Sequence, residues 1–387
     1  MTIASIFFLT LIALGGAYLV LSLLCVLSFF GKSRPEKTVH LPPEDSLAVS
    51  ILKPIKGFDP SMAGNLESFL AQEYPRFEVL FGFRDPEDPA LPFVKRMAAE
   101  APCEARVVVS NTGAGANDKV LSLQALADNA RYSMLALSDS DMVVDRDYLS
   151  LIIGEFLRAG KTGIVTSLYK ISRPVSVGSA LESLTIALDF IPSVLVARRM
   201  EGITFGLGAS ILISKEVLRD IGGFAAIADY LADDYQLGNR CWQKGYDNVL
   251  SARVIENRVG PMSIREHLVH QLRWARTQRV SRPTGYLGYG ISHLFPFTLL
   301  FFLICPGVKP AALIGLALAL RYALALSLYR KVVADAAWLR WLFLIPFKDA
   351  LSFLVWLWSF AGSKVYWRGA YYRTVRGGKM VKIDGGS

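Results

Sequence analysis

The sequence predicts an α/β domain with a mostly parallel sheet, set between an N-terminal transmembrane helix and a C-terminal membrane region. Two patterns and one short motif carry that expectation. Short apolar strands alternate with helical stretches from Leu47 to Glu256, at the spacing of βα units. Long uncharged runs stand toward both ends of the chain. One strand, ending at Leu137, runs directly into Ser138-Asp139-Ser140-Asp141. Ligands of open α/β sheets bind beyond the carboxyl ends of the strands.

The bulk composition agrees. Of 387 residues, 52% are hydrophobic and 19% are charged, enough for one large catalytic domain and more besides. A formal net charge of +9 in a soluble protein would raise nucleic acid as a partner. Here the basic residues gather beside apolar runs. That pattern suits an anionic bilayer surface, and no nucleic-acid partner is expected. Cys25, Cys103, Cys241 and Cys305 have no metal-ligand spacing and suggest neither a disulfide framework nor a zinc site.

Residues 4–31 carry no charge, and Lys32 and Arg34 follow. A cleaved signal peptide fits poorly, because there is no basic stretch before a run that is already too long. Residues 1–31 are expected as an anchor, with the basic flank on the cytoplasmic side, and residues 32–46 as a linker. The catalytic domain is expected over residues 47–283. Its strands are read at 47–52, 78–83, 105–109, 133–137, 163–168, 211–214 and 248–256. Helices are read at 61–72, 91–100, 120–130, 148–160 and from Asp233 to about Lys244, with a basic helix over 267–279. Residues 176–200 are apolar with Glu182 and Asp189 inside. They read equally as a membrane-surface helix or as an ordinary buried one.

Residues 284–363 form the expected membrane region. Apolar runs at 285–308 and 311–329 provide two crossings. The run at 338–360 contains Pro346, Lys348 and Asp349. A charged pair inside one span is costly, so this run is expected as a re-entrant hairpin, an interfacial segment or two short tilted helices. Residues 364–387 are expected as a basic cytoplasmic tail.

Five groups of residues carry candidate chemistry. Asp139 and Asp141, at i and i+2 of an extended strand end, point to one side and could share a divalent cation, Mg2+ or Mn2+, on a diphosphate. The competing reading is a helix cap with solvated acids. Lys56, Asp85 and Lys119 lie at or just after other strand ends, where a lysine can meet phosphate and an acid can bind a nucleoside. Each is equally a solvated loop residue. The glycine-dotted Phe205–Ser210 lets backbone approach a ligand closely. Asp233 and Asp234 begin a helix. One could act as general base, and since adjacent helical side chains diverge by about 100°, only one is expected to face the site. The alternative is an acidic helix start favoured by the macrodipole. His270, Arg273 and Trp274 share a face of the basic helix, with a lipid-facing interfacial helix as the competing reading.

With these residues in view, the chain resembles the ceramide glucosyltransferase family of membrane-bound, inverting glycosyltransferases over almost its whole length. NLESFLAQEYPRFEVLFGFRDPEDPA resembles the family's first nucleotide-binding part, with Asp85 at its aspartate. The loop ending at Lys119 has a counterpart there. SDSD places the metal-binding aspartate at Asp139. Asp141, a glycine in the animal relatives, resembles the Asp-x-Asp of the wider fold family. LADDYQLG places the catalytic base at Asp234, beside Asp233. The family's closing motif places Arg273 and Trp274, with His270 where Gln or Arg is usual.

The resemblance implies a GT-A-like domain and transfer of a sugar, glucose foremost, from a UDP-sugar donor to a membrane lipid acceptor, ceramide foremost. It also implies a site in a bacterial inner membrane, multi-pass, with the catalytic domain cytoplasmic. Lys56, Asp85, Lys119, Asp139, Arg273 and Trp274 would bind donor, Asp139 and Asp141 metal, and Asp234 the acceptor proton. Similar bacterial enzymes leave two alternatives: UDP-N-acetylglucosamine-dependent transfer to a hopanoid (bacteriohopanetetrol) or transfer to diacylglycerol. A processive polysaccharide synthase would need a larger membrane region. A non-enzymatic lipid-binding or scaffold protein is the reading from another class.

Overall fold

A computed structural model describes residues 3–32, 47–59, 61–375 and 377–383. The expected linker lies outside these residues apart from Lys32, as do Arg34 and Arg376.

Eight strands form the central sheet: β1 (Val49–Pro54), β2 (Phe77–Phe83), β3 (Glu104–Val109), β4 (Met134–Leu137), β5 (Met142–Val143), β6 (Thr162–Ile171), β7 (Ile211–Ser214) and β8 (Asp247–Asn257). Their spatial order is β3-β2-β1-β4-β7-β6-β8-β5. β3, β2, β1 and β4 pair in parallel, as do β6 and β8. β7 lies antiparallel between β4 and β6, and β5 antiparallel to β8. The sheet is therefore mixed, and all but β7 and β5 run one way. Its inner strands are apolar at nearly every position because both faces are covered. Ile51 and Phe81 enter one core with Phe69, Tyr148 and Ile152. Their chain neighbours Leu52 and Leu80 enter the opposite core with Leu126, Ile213 and Leu237. This is strand alternation applied to a sheet buried on both sides.

Among the described residues four helices are long and apolar enough to cross a membrane: Ile3–Gly31, Val177–Glu201, Val308–Val333 and Ala336–Ser359. Most of Val177–Glu201 is enclosed, with 72% of its apolar window buried against 33%, 28% and 22% for the others. Of its two sequence readings, the buried helix is the one observed. A π-helical turn, Ile186–Phe190, interrupts it and carries Asp189. The last apolar run is interrupted: a turn and a 3-10 segment, Leu342–Leu344, separate the helices Ala336–Leu339 and Ile345–Ser359, while Ala336–Ser359 taken whole is long enough to span. An earlier run is bent, with Pro283–Ser292 and Leu294–Ile304 meeting at 59°.

The charges in that last run are neutralised rather than excluded. Lys348 Nζ lies 2.6 Å from Asp189 and 2.9 Å from Asp349. Arg321 Nη2 lies 2.7 Å from Asp349 and also pairs with Asp189. Two acids and two bases, all buried, bind three helices together. Removing one member of such a group costs roughly 3–5 kcal/mol.

The expected basic tail is folded. β9 (Lys364–Trp367), β10 (Ala370–Thr374) and β11 (Met380–Ile383) form an antiparallel sheet. It joins the α/β domain through a bridge between Tyr230 and Lys379. Val365, Tyr372 and Met380 bury Leu231.

Candidate active site

β4 ends at Leu137, and the chain turns through Ser138–Asp141 before β5. Next to it, Asn117 caps the helix Asp118–Asn129 by accepting from the N–H groups of Lys119 and Val120. That cap, worth about 1 kcal/mol, aims Lys119 at the turn. Lys119 Nζ lies 2.7 Å from Asp139 Oδ1 and 3.3 Å from Asp233 Oδ2. Burial alone would depress the lysine's pKa, but Asp139, Asp233 and Asp234 outweigh it and push it up. The pairing in turn holds Asp139 low despite its burial.

Asp233 and Asp234 open the helix Asp233–Gln243. Both turn toward this cluster, contrary to the expectation that only one would. They occupy the first helical turn, and two different partners reach them. Asp233 takes Lys119. Asp234 Oδ2 accepts from the Gly208 N–H at 2.8 Å, and its Oδ1 from the Tyr235 N–H at 2.8 Å. Close backbone approach makes this possible. A Cβ on Gly238 would fall 2.1 Å from backbone of Phe205, and one on Gly206 would fall 2.6 Å from the Asp234 carbonyl oxygen. At Gly208 a Cβ would stand 3.2 Å from Asp234 Oδ2, 3.4 Å from Lys119 Nζ and 3.5 Å from Asp139 Oδ2. Burial first, and the adjacent Asp233 second, push the Asp234 carboxyl up to about 6. Such a group is a proton acceptor near neutral pH.

Asp141 accepts from Asn257 Nδ2 at 2.9 Å. The residue is exposed to solvent, yet partial desolvation, with the charge of Asp139, raises its pKa. Neither Asp141 nor Asp234 has an ion-pair partner among the described residues. Among those residues no three His, Cys, Asp or Glu side chains converge as a complete metal cage. The donors at the turn still suit a hard divalent cation: they are oxygens, two of them on neighbouring carboxylates, and Asn257 Oδ1 is buried without a partner. A site with few protein oxygens, completed by phosphate oxygens and water, is the usual way Mg2+ is held.

The basic helix runs Ile264–Ser281. His270 Nδ1 contacts Glu182 Oε1 at 2.8 Å, His267 Nδ1 contacts Oε2 at 2.6 Å, and Gln271 donates to both oxygens. His270 thus fixes the helix to a buried acid. Trp274 packs on His270 and Phe190, with ring centroids 5.2 and 5.8 Å away. Arg273 has no carboxylate partner among the described residues. Burial lowers its pKa to about 10 against the pull of Glu182.

Two expected donor residues lie apart from the cluster. Lys56 is exposed and pairs with Asp118 at 3.6 Å. Asp85 is exposed at the end of β2, where its Oδ1 accepts from the Glu87 N–H. The lysine beneath the turn is Lys53. It is fully buried, sits 3.6 Å from the Phe69 ring centroid, and donates to the Asp139 carbonyl and to Ser138 Oγ. Its one signal in the sequence is a lysine inside an otherwise apolar strand. Asn257 has no local signal, since β8 brings it to the site from 116 residues away.

The mannosyltransferase of Pyrobaculum calidifontis, solved in complex with GDP-Man and Mn2+, superposes with a TM-score of 0.51 at 17% identity, over 90% of this chain and 99% of that one. The likeness shows a GT-A-like glycosyltransferase fold. The model of glycosyl transferase family 21 matches residues 6–380, and the chain belongs to that family. Ceramide glucosyltransferase 3 of Caenorhabditis elegans is 26% identical over 260 residues, 66% of this chain and 56% of the relative. Ceramide glucosyltransferase 1 of the same organism is 27% identical over 252 residues, 62% and 52% respectively. The chain thus spans about half the length of the curated relatives it matches.

Proposed function

We propose that this chain transfers a sugar from a UDP-sugar, glucose foremost, to the hydroxyl of a membrane lipid, ceramide foremost, with inversion at the anomeric carbon. One observation carries the reading. Asp234 stands where the strand-end cluster meets the membrane helices. Its carboxylate faces Gly208, while the adjacent Tyr235 packs, with Phe205 and Leu207, on the apolar cluster that contains Phe297, Phe301 and Leu324. A base so placed reaches a hydroxyl at the end of a lipid. The relatives named as ceramide glucosyltransferases support the donor and acceptor classes.

In this mechanism Asp234 takes the proton of the lipid hydroxyl. The hydroxyl oxygen then attacks the anomeric carbon from the face opposite the diphosphate. The bond from that carbon to the diphosphate oxygen breaks, and UDP leaves with the electron pair. Asp139 and Asp141 would hold a divalent cation, which when bound neutralises charge on the leaving diphosphate. Arg273 supplies fixed positive charge, and Trp274 with His270 keeps its helix in place. Lys119 holds Asp139 and Asp233 together.

An even number of crossings between Ser281 and Lys364 would keep the C-terminal sheet on the side of the domain it pairs with: Val308–Val333 and Ala336–Ser359 as two crossings, and the bent pair Pro283–Ile304 as a re-entrant loop. The positive flanks support a cytoplasmic catalytic domain.

The test is a donor-by-acceptor screen on purified protein. UDP-glucose and UDP-N-acetylglucosamine are offered with ceramide, diacylglycerol and bacteriohopanetetrol, with and without Mn2+, and products are read by mass spectrometry. Glucosylceramide formed only with metal is the expected product. Absence of any lipid glycoside, together with no hydrolysis of either donor, would leave a lipid-binding scaffold as the better account.

A further inference from the structure

The hairpin between β9 and β10 turns on two residues, Arg368 and Gly369, because Trp367 and Ala370 are a registered pair. Both turn residues have positive φ, 49° and 85°. Such a turn favours Asn-Gly, since a residue with a long side chain is strained in the left-handed region. An arginine here is a poor choice for folding, and strain of this kind clusters at functional sites. The guanidinium has no carboxylate partner among the described residues and rests on the Trp367 ring, 5.2 Å away.

The hairpin is held firmly beside the strand-end cluster. Arg276 and Arg279, one and two turns beyond Arg273 on the same helix, donate to the carbonyls of Ala361 and Gly362, both at 2.7 Å, and Arg276 also to that of Lys364. On the other flank the Met380 N–H donates to the Asp229 carbonyl at 2.7 Å. Asp229 Oδ1 accepts from the Ala116 N–H, and Asn117, the cap of the Lys119 helix, donates to the Tyr230 carbonyl. Leu231, buried by the hairpin, lies three residues before Asp234. The base of the sheet is thus fixed to the helix that carries Arg273 and to the segments that lead into the Lys119 and Asp234 helices. Arg368 lies within electrostatic reach of Arg273.

We propose that Arg368 binds the sugar-side phosphate of the donor, and that the C-terminal sheet is the wall that holds it there. The inference rests on the donor reading above and adds a residue to it. Planar guanidinium groups suit phosphate oxygens, and a charge-assisted contact inside a cleft is worth about a tenfold change in affinity.

The test titrates UDP and UMP into the purified full chain with Mn2+, in wild type, R368N and R368K. Asn-Gly fits the turn, so R368N should melt at or above the wild-type temperature. It should nonetheless lose about tenfold in UDP affinity while UMP affinity stays near wild type. R368K, which keeps the charge without the fork, should fall between them. Equal UDP affinity in R368N and wild type, or equal losses for UDP and UMP, would overturn the assignment. A wild-type protein that binds no UDP would instead overturn the donor reading, and Arg368 with it.

Discussion

Two charge clusters among the described residues are built on opposite principles. Between the membrane helices, Asp189, Arg321, Lys348 and Asp349 balance one another, and every charge touches an opposite one. At the strand ends, Lys119 serves Asp139 and Asp233, while Asp141 and Asp234 have no ion-pair partner among the described residues. The balanced cluster has no remaining demand for a ligand and acts as a joint. The unbalanced one carries carboxylates whose ionisation is opposed by their surroundings, which is the condition for taking up a cation or a proton.

Three changes test that contrast. The largest effect is expected from Asp234→Asn. If this carboxylate is the base, lipid-dependent transfer should fall by about 10²–10⁴-fold, while UDP binding measured by calorimetry persists. Normal turnover in this variant would remove Asp234 from the mechanism. Next is Lys348→Met, which leaves Asp189 and Asp349 sharing Arg321. Melting in detergent should report roughly 3–5 kcal/mol of lost stability. The double variant Lys348→Met/Asp189→Asn should recover part of it, because it restores neutrality. No recovery would mean that shape rather than charge balance sets the cost. The smallest effect is on pH dependence. A carboxyl pushed up to about 6 loses its proton as pH rises through that value. For wild type, kcat/KM should therefore climb between pH 5 and 7 and then level. A profile flat down to pH 4.5 would place the acceptor proton elsewhere.

Much of the fold was legible because strands buried on both faces read as apolar runs, and β4 with its acidic end is the clearest of them. The membrane runs were legible for the same reason. Asp139 and Asp234 could be singled out as candidates because acids at a strand end and a helix start are local features. The site beyond them depends on tertiary placement. Lys53 and Lys56 lie three residues apart, and only the depth of β1, which includes the first and ends before the second, puts Lys53 beneath Asp139 and leaves Lys56 on the surface. Asn257 reaches Asp141 through the pairing of β5 with β8. Lys348 and Asp349 looked prohibitive in a span because their partners, Asp189 and Arg321, are distant in sequence. Residues 364–383 looked like a basic tail because their alternating pattern is short and rich in lysine and arginine.

The bridge between Tyr230 and Lys379 has a consequence in time. During synthesis the strands, the acidic turn and the Asp234 helix all emerge before the last membrane helices, and β11 emerges after them. The C-terminal sheet can therefore pair with Tyr230 only after those helices have been made. A chain stalled partway would lack this sheet, so that its docking on the α/β domain is tied to completed synthesis.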